Sequence, residues 1–330
     1  MNANVNMALG NSRWTPAMKG VAWLAAAIVL IGLPLVVPGY LTFQLSGVLA
    51  YAVAAIGLNL ITGYVGLISL GHNAFFALGA YTAALSIVYF NVHYITSVFL
   101  AAIVSFVVGY LAGFPAQRLR GLYLALITLV LAVSVAPVIK HFKDVTGGMP
   151  GMVLERPTPP EWTGLTRDAW IYYMVLMFAV ICFYLAKNFV AGSTGRALTA
   201  IRLAPLAASS MGVNVNGYKV LIFGLGSMMA GIGGALFNFS LGFVGPDSYT
   251  LMLSVSFLAA VVVGGIGTIW GALIAGMFLQ FVPTYASEIS EALAGAVYGG
   301  ILIACMFFMP KGIAGTWIER RQQRLKAKDE

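Results

Sequence analysis

Ten runs of roughly twenty mostly apolar residues follow one another along this chain, most of them separated by short polar turns. Inside hydrocarbon every backbone N–H and C=O must be paired within the protein, so a run of that length crosses as a helix. The runs fall at 20–37, 41–61, 66–89, 95–115, 122–139, 169–186, 219–240, 249–264, 269–286 and 292–309. Only 8% of the residues are charged, against roughly a quarter in soluble domains. The reading is an all-α integral membrane protein of about ten transmembrane helices. The net charge of +8 does not mark a nucleic-acid binder, because the basic residues are dispersed beside the runs.

Basic residues flank cytoplasmic ends of spans. That rule places both termini in the cytoplasm, with fourteen of the eighteen Lys and Arg on that side and seven of the ten acids opposite. The chain divides into a cytoplasmic segment 1–20, a transmembrane domain 21–310 and a basic tail 311–330. The tail is suited to anionic membrane lipid. Within the domain, 140–168 is the one long outside loop and 188–218 the long inside loop. The turn 264–268 is uncharged and leaves open a single bent helix across it.

Residues 63–70 (GYVGLISL) and 242–249 (GFVGPDSY) share G-aromatic-V-G-x-x-S. Gly63, Gly66 and Ser69 match Gly242, Gly245 and Ser248. The topology puts the first at the inside end of a span and the second at an outside end, as a five-plus-five inverted repeat requires. The first copy lies in 57–81, where Asn59, Ser69, His72 and Asn73 crowd around glycines able to open the backbone. Irregular backbone at membrane depth needs protein or a wet cavity to satisfy it. Two readings stand for these residues: interhelical hydrogen bonding, or the lining of a pathway. A lone His such as His72 is more often structural than a proton carrier.

No ionisable residue lies near the centre of a span, and no catalytic motif is present. Cys182 and Cys305 fall inside apolar runs, away from disulfide or metal spacing. Residues 212–219 run G-x-x-x-x-G-Y-K, but a phosphate loop needs Lys directly after the second Gly and then a hydroxyl. Neither cofactor nor metal is expected, and ATP-driven work would need a partner. Small Gly pairs at 109/113, 267/271 and 295/299 suit close helix packing.

The inside loop carries 192–220, with Arg196, Arg202 and Lys219 and no acid. Pro205 suits a helix start and Gly212 a left-handed helix end. Between them Ala207 and Ala208 are small enough for another surface to approach. An ordinary solvated loop is the competing reading.

GLNLITGYVGLISLGHNAFFALGAY and GRALTAIRLAPLAASSMGVNVNGYK together resemble LivM-type permeases of branched-chain amino-acid ABC importers. VVVGGIGTIWGALIAGMF and FFMPKGIAGTWIE add to the resemblance, which covers about 45–315. It implies a non-enzymatic permease subunit in a bacterial inner membrane, forming half of a translocation pathway. The implied partners are a second, LivH-like permease, two cytoplasmic ATPases and a periplasmic binding protein. It also makes the inside loop an ATPase-docking element, with Arg196, Arg202, Pro205, Ala207, Ala208 and Gly212 as its residues. Leu203–Ala204–Pro205 and Ser209 depart from the family's usual acidic residues there. Family members also carry urea, amides or other amino acids. A stand-alone secondary transporter is the runner-up.

Overall fold

The computed structural model describes residues 30–119, 121–289, 294–308 and 312–316. Among them eight helices are long and apolar enough to cross a membrane. The expected first span, 20–37, lies mostly outside the described residues, as do both termini. The expected tenth is described as a helix over 15 residues.

The chain order is α1 (Gly39–Leu58), α2 (His72–Phe90), α3 (Tyr94–Arg118), α4 (Leu122–His141) and α5 (Arg167–Ala191). Two short helices follow, α6 (Ser193–Leu203) and α7 (Pro205–Ser210), then α8 (Val215–Leu241), α9 (Leu251–Gly264), α10 (Ile269–Ile289) and α11 (Ala294–Phe308). α1 runs on into a π-helical turn, Asn59–Tyr64. Residues 65–71 are then non-helical, so the third span begins its helix at His72 rather than at 66. The open question at 264–268 is resolved as a turn between two helices: Gly265 (φ 118°) and Gly267 (φ 78°) hold left-handed conformations there.

α1 and α8 form the buried centre, whereas α3 and α4 turn much of their surface outward. The centre is close-packed because small residues face each other. A side chain at Gly57 would start 2.2 Å from the Gly226 carbonyl, and one at Gly79 would start 2.2 Å from Gly231 Cα. Gly109 and Gly113 meet α8 at Ser227 and Val220, as packing residues should. Gly267 instead belongs to the turn, and beside Gly295 and Gly299 the space is open.

Contacts recur in pairs. α8 packs on α3 as α1 packs on α10; α2–α3 is mirrored by α9–α10, and α2–α4 by α9–α11. The two G-aromatic-V-G copies sit at opposite ends of the bundle. Phe243–Val244 (β2) pairs antiparallel with Met152–Val153 (β1), and Lys140 Nζ lies 3.0 Å from Asp247 Oδ1, so the second copy stands at the 140–168 end. The first copy meets Arg202 of α6, which is joined to the opposite end of the 27-residue α8. The copies agree in place but not in conformation: Gly66 (φ 79°) and Gly242 (φ 72°) are left-handed, whereas their counterparts Gly245 and Gly63 are not.

Candidate functional site

The broken stretch after α1 is largely buried, with Gly66 and Ile68 exposed, and is braced on several sides. Asn59 donates to the Thr268 carbonyl (2.6 Å) and accepts from Gly267 N–H (2.8 Å), pinning the α9–α10 turn to the π-helical turn. Gly63 has no room for a side chain, since Asn59 Oδ1 and Gly267 N would lie 2.1 and 2.6 Å from it. In the non-helical segment the freed backbone groups find partners. Leu67 N–H donates to Ile61 O, Thr62 Oγ1 to Leu67 O, and Leu70 N–H to Thr128 Oγ1 at 2.9 Å. Ser69 accepts a long contact from Gly71 N–H at 3.5 Å.

At the start of α2, His72 Nε2 donates to the Ala54 carbonyl (2.8 Å), and its ring stands edge-on to Phe257. A carbonyl only accepts, so Nε2 carries the proton. Nδ1 has no hydrogen-bond partner. Asn73, 0% exposed, holds the opening turn of α2 to that of α9. Its amide donates to the carbonyls of Ala132 (3.2 Å), Tyr249 (3.0 Å) and Thr250 (3.1 Å). Ser254 Oγ donates to Asn73 Oδ1 (2.7 Å) and accepts from Asn73 N–H (3.0 Å).

The polar chain continues beyond the residues singled out from sequence. Tyr249 O–H donates to Asn238 Oδ1 (3.0 Å), and Asn238 Nδ2 donates to the Ala80 carbonyl (2.9 Å). Tyr51, Phe76, Phe237 and Phe257 pack as an aromatic cluster beside it. An Asn inside the apolar α8 was the available signal for this network. Gly242 caps α8 beneath Arg156, Gly245 lies against the Phe243 ring, and Ser248 is exposed in the turn Pro246–Ser248. The structure thus places Asn59, Gly63, Gly66, Ser69, His72 and Asn73 in one segment, in which all but the exposed Gly66 are buried. Asn73 joins that segment to the residues just after Ser248.

The second candidate is the surface of α6 and α7. Leu198 and Ile201 anchor α6, and Gly195 must be glycine because a Cβ would overlap the Val190 carbonyl. Pro205 stands in the first turn of α7, and Gly212 (φ 83°) ends the element with open space around it. Arg196 and Ala207 are exposed. One residue differs from the sequence expectation. Ala208 is 5% exposed and packs into its own chain's core, because a helix of under two turns can turn only one side outward. Arg202 is exposed and also turns its guanidinium onto the Gly63 carbonyl. The outward side carries instead Leu203 (70% exposed), Leu206 (74%) and Met211 (84%).

Long apolar helices whose buried polar side chains satisfy one another define a multi-pass membrane protein. The chain belongs to the family described as branched-chain amino acid transport system / permease component, whose family model matches residues 40–306. It is 30% identical over 301 residues to the high-affinity branched-chain amino acid transport system permease protein LivM of Salmonella typhimurium, covering 84% of this chain and 70% of that protein. LivM of Escherichia coli is 29% identical over 300 residues, with the same coverage. The permease LivH of Escherichia coli is 25% identical over 286 residues, 80% of this chain and 91% of that protein. No solved structure matches the chain.

Proposed function

We propose that this chain is the membrane-spanning permease subunit of an ATP-binding-cassette importer for branched-chain amino acids, lying in a bacterial inner membrane. In this reading ten spans form a five-plus-five inverted repeat with cytoplasmic termini. The chain supplies half of the pathway, and a LivH-like permease supplies the other half. ATP hydrolysis belongs to two cytoplasmic ATPases, and substrate arrives from a periplasmic binding protein at the 140–168 end. The glycine-broken segment 59–73 and the connector 242–248 are the elements that rearrange as the pathway opens.

The observation that carries this reading is the apolar strip of Leu203, Leu206 and Met211, on two short helices and just after the second, outside every span. A cluster of large apolar side chains on an otherwise polar surface marks a contact with another protein. Arg196, Pro205, Ala207 and Gly212 frame the same surface. Leu206→Glu tests it, because Leu206 is exposed and its change should cost the fold no more than about 0.5 kcal/mol. An unpaired charge buried at an interface costs several kcal/mol, enough to weaken association about a hundredfold or more. Membrane abundance and pairing with the second permease should therefore stay normal while ATPase co-purification and leucine uptake fall together. Unchanged co-purification and uptake would rule out this docking surface. Competition of labelled leucine uptake by isoleucine and valine, but not by urea or amides, tests the substrate class.

A further inference from the structure

The π-helical turn ends at Tyr64, so its last carbonyls lack the N–H groups a continuing helix would bring. The Gly63 carbonyl is one of these, and it is met by a guanidinium from a different element: Arg202 Nη1 donates to it. Hydrogen bonds from a charged donor are roughly twice as strong as neutral ones. The stem of the same side chain lies over Gly66, where a Cβ would start 3.2 Å from Arg202 Cγ. Gly66 is left-handed (φ 79°), so the arginine covers the point at which the backbone leaves the helix. Arg202 also neighbours Leu203 in α6, one residue from the exposed apolar strip. On its other side the π-helical turn is tied by Asn59 to the α9–α10 turn.

We propose that Arg202 is a positioning residue that couples the docking helices to the broken helix. Displacement of α6 and α7 is passed through the guanidinium to the Gly63 carbonyl, and so to segment 65–71. The inference rests on the importer reading and names the contact through which that reading would work.

The test uses the whole importer, purified through a tagged ATPase subunit and reconstituted in liposomes with its binding protein. Arg202→Met keeps an apolar stem over Gly66 and removes the donor. It should assemble normally and hydrolyse ATP within twofold of the parent, while substrate moved per ATP falls at least fivefold. Arg202→Lys restores a charged donor and should return that ratio to within twofold of the parent. A fall of less than fivefold in Arg202→Met overturns the proposal. So does loss of its ATPase association or of its membrane accumulation, which would make Arg202 a docking or folding contact. A lysine variant as uncoupled as the methionine one also overturns it. If the parent chain itself brings down no ATPase, the importer reading fails instead, so the two failures are distinct.

Discussion

Asn73→Ala removes the side chain that joins the first turns of α2 and α9, and the structure fixes what is lost. The amide has two N–H groups directed at three carbonyls, those of Ala132, Tyr249 and Thr250, so one hydrogen is shared. Its oxygen accepts from Ser254, whose own acceptor role toward the Asn73 backbone survives the change. Four contacts, carried by three hydrogens, therefore disappear. Interhelical bonds within membranes average about 0.6 kcal/mol, and stranding a buried polar group costs about 1–3 kcal/mol. The Thr250 carbonyl keeps the Leu253 N–H (3.1 Å) as a partner, whereas the Tyr249 carbonyl precedes α9 and relies on the amide. Together with the vacated volume, a loss of about 2–4 kcal/mol is expected, read as a shift in the SDS-induced unfolding transition in mixed micelles. Asn73→Asp should be worse still, since it replaces the donor with an acceptor facing the same carbonyls. Ser254→Ala alone should cost about 1–2 kcal/mol. The double variant should fall short of the sum by about 1 kcal/mol, as contacting residues do. A single Asn73→Ala loss below about 0.5 kcal/mol, or strict additivity with Ser254→Ala, would refute the network as a stabilising unit.

Gly79→Ala should destabilise by about 1–3 kcal/mol, because its Cβ would start 2.2 Å from Gly231 Cα and O, and backbone must move to admit it; the same unfolding assay measures it. Arg156→Ala should cost at most about 1 kcal/mol, since its ion pair with Asp168 (2.6 Å) is about 30% accessible on both sides. A thermal melt at low and high salt should show that difference shrinking as salt screens the pair.

Much of the architecture was legible because the bilayer asks for long apolar runs, and such runs stand out whatever neighbours they pack against. What sequence could not supply was where a helix resumes after a break. Gly63, Gly66 and Gly71 mark 63–71 as permissive, yet the return to helix at His72 depends on Ala54, Thr128 and Ser254, which lie in other elements. The π-helical turn has no signature either, because a shift from i+4 to i+5 bonding is decided by packing. Ala208 was misplaced for a similar reason. Six residues of α7 give too little periodicity to say which side is inward, and the answer comes from the core it touches. The Asn238–Tyr249 pair is not legible in the sequence, because an Asn in an apolar helix and a Tyr in a connector carry no common pattern until the fold joins them.

The two connectors also differ in what holds them, and that difference has a consequence for how each end can change. At the 140–168 end the attachment is largely backbone: β1 pairs with β2, and Leu154 N–H donates to the Gly242 carbonyl at 3.0 Å. Such bonds survive most side-chain replacements. At the other end, segment 59–71 is tied to its neighbours through the side chains of Asn59, Thr128 and Arg202. Each of these bonds contributes about 1 kcal/mol and each can be removed singly. The central α1–α8 crossing, by contrast, allows almost no adjustment, since Gly57 and Gly226 leave no room between backbones. A fixed crossing with one backbone-latched end makes the end that α6 and α7 adjoin the easier of the two to rearrange. Within such a frame a force applied at α6 is met least by the crossing and the strand pair, and most directly by the side-chain contacts that hold the broken helix.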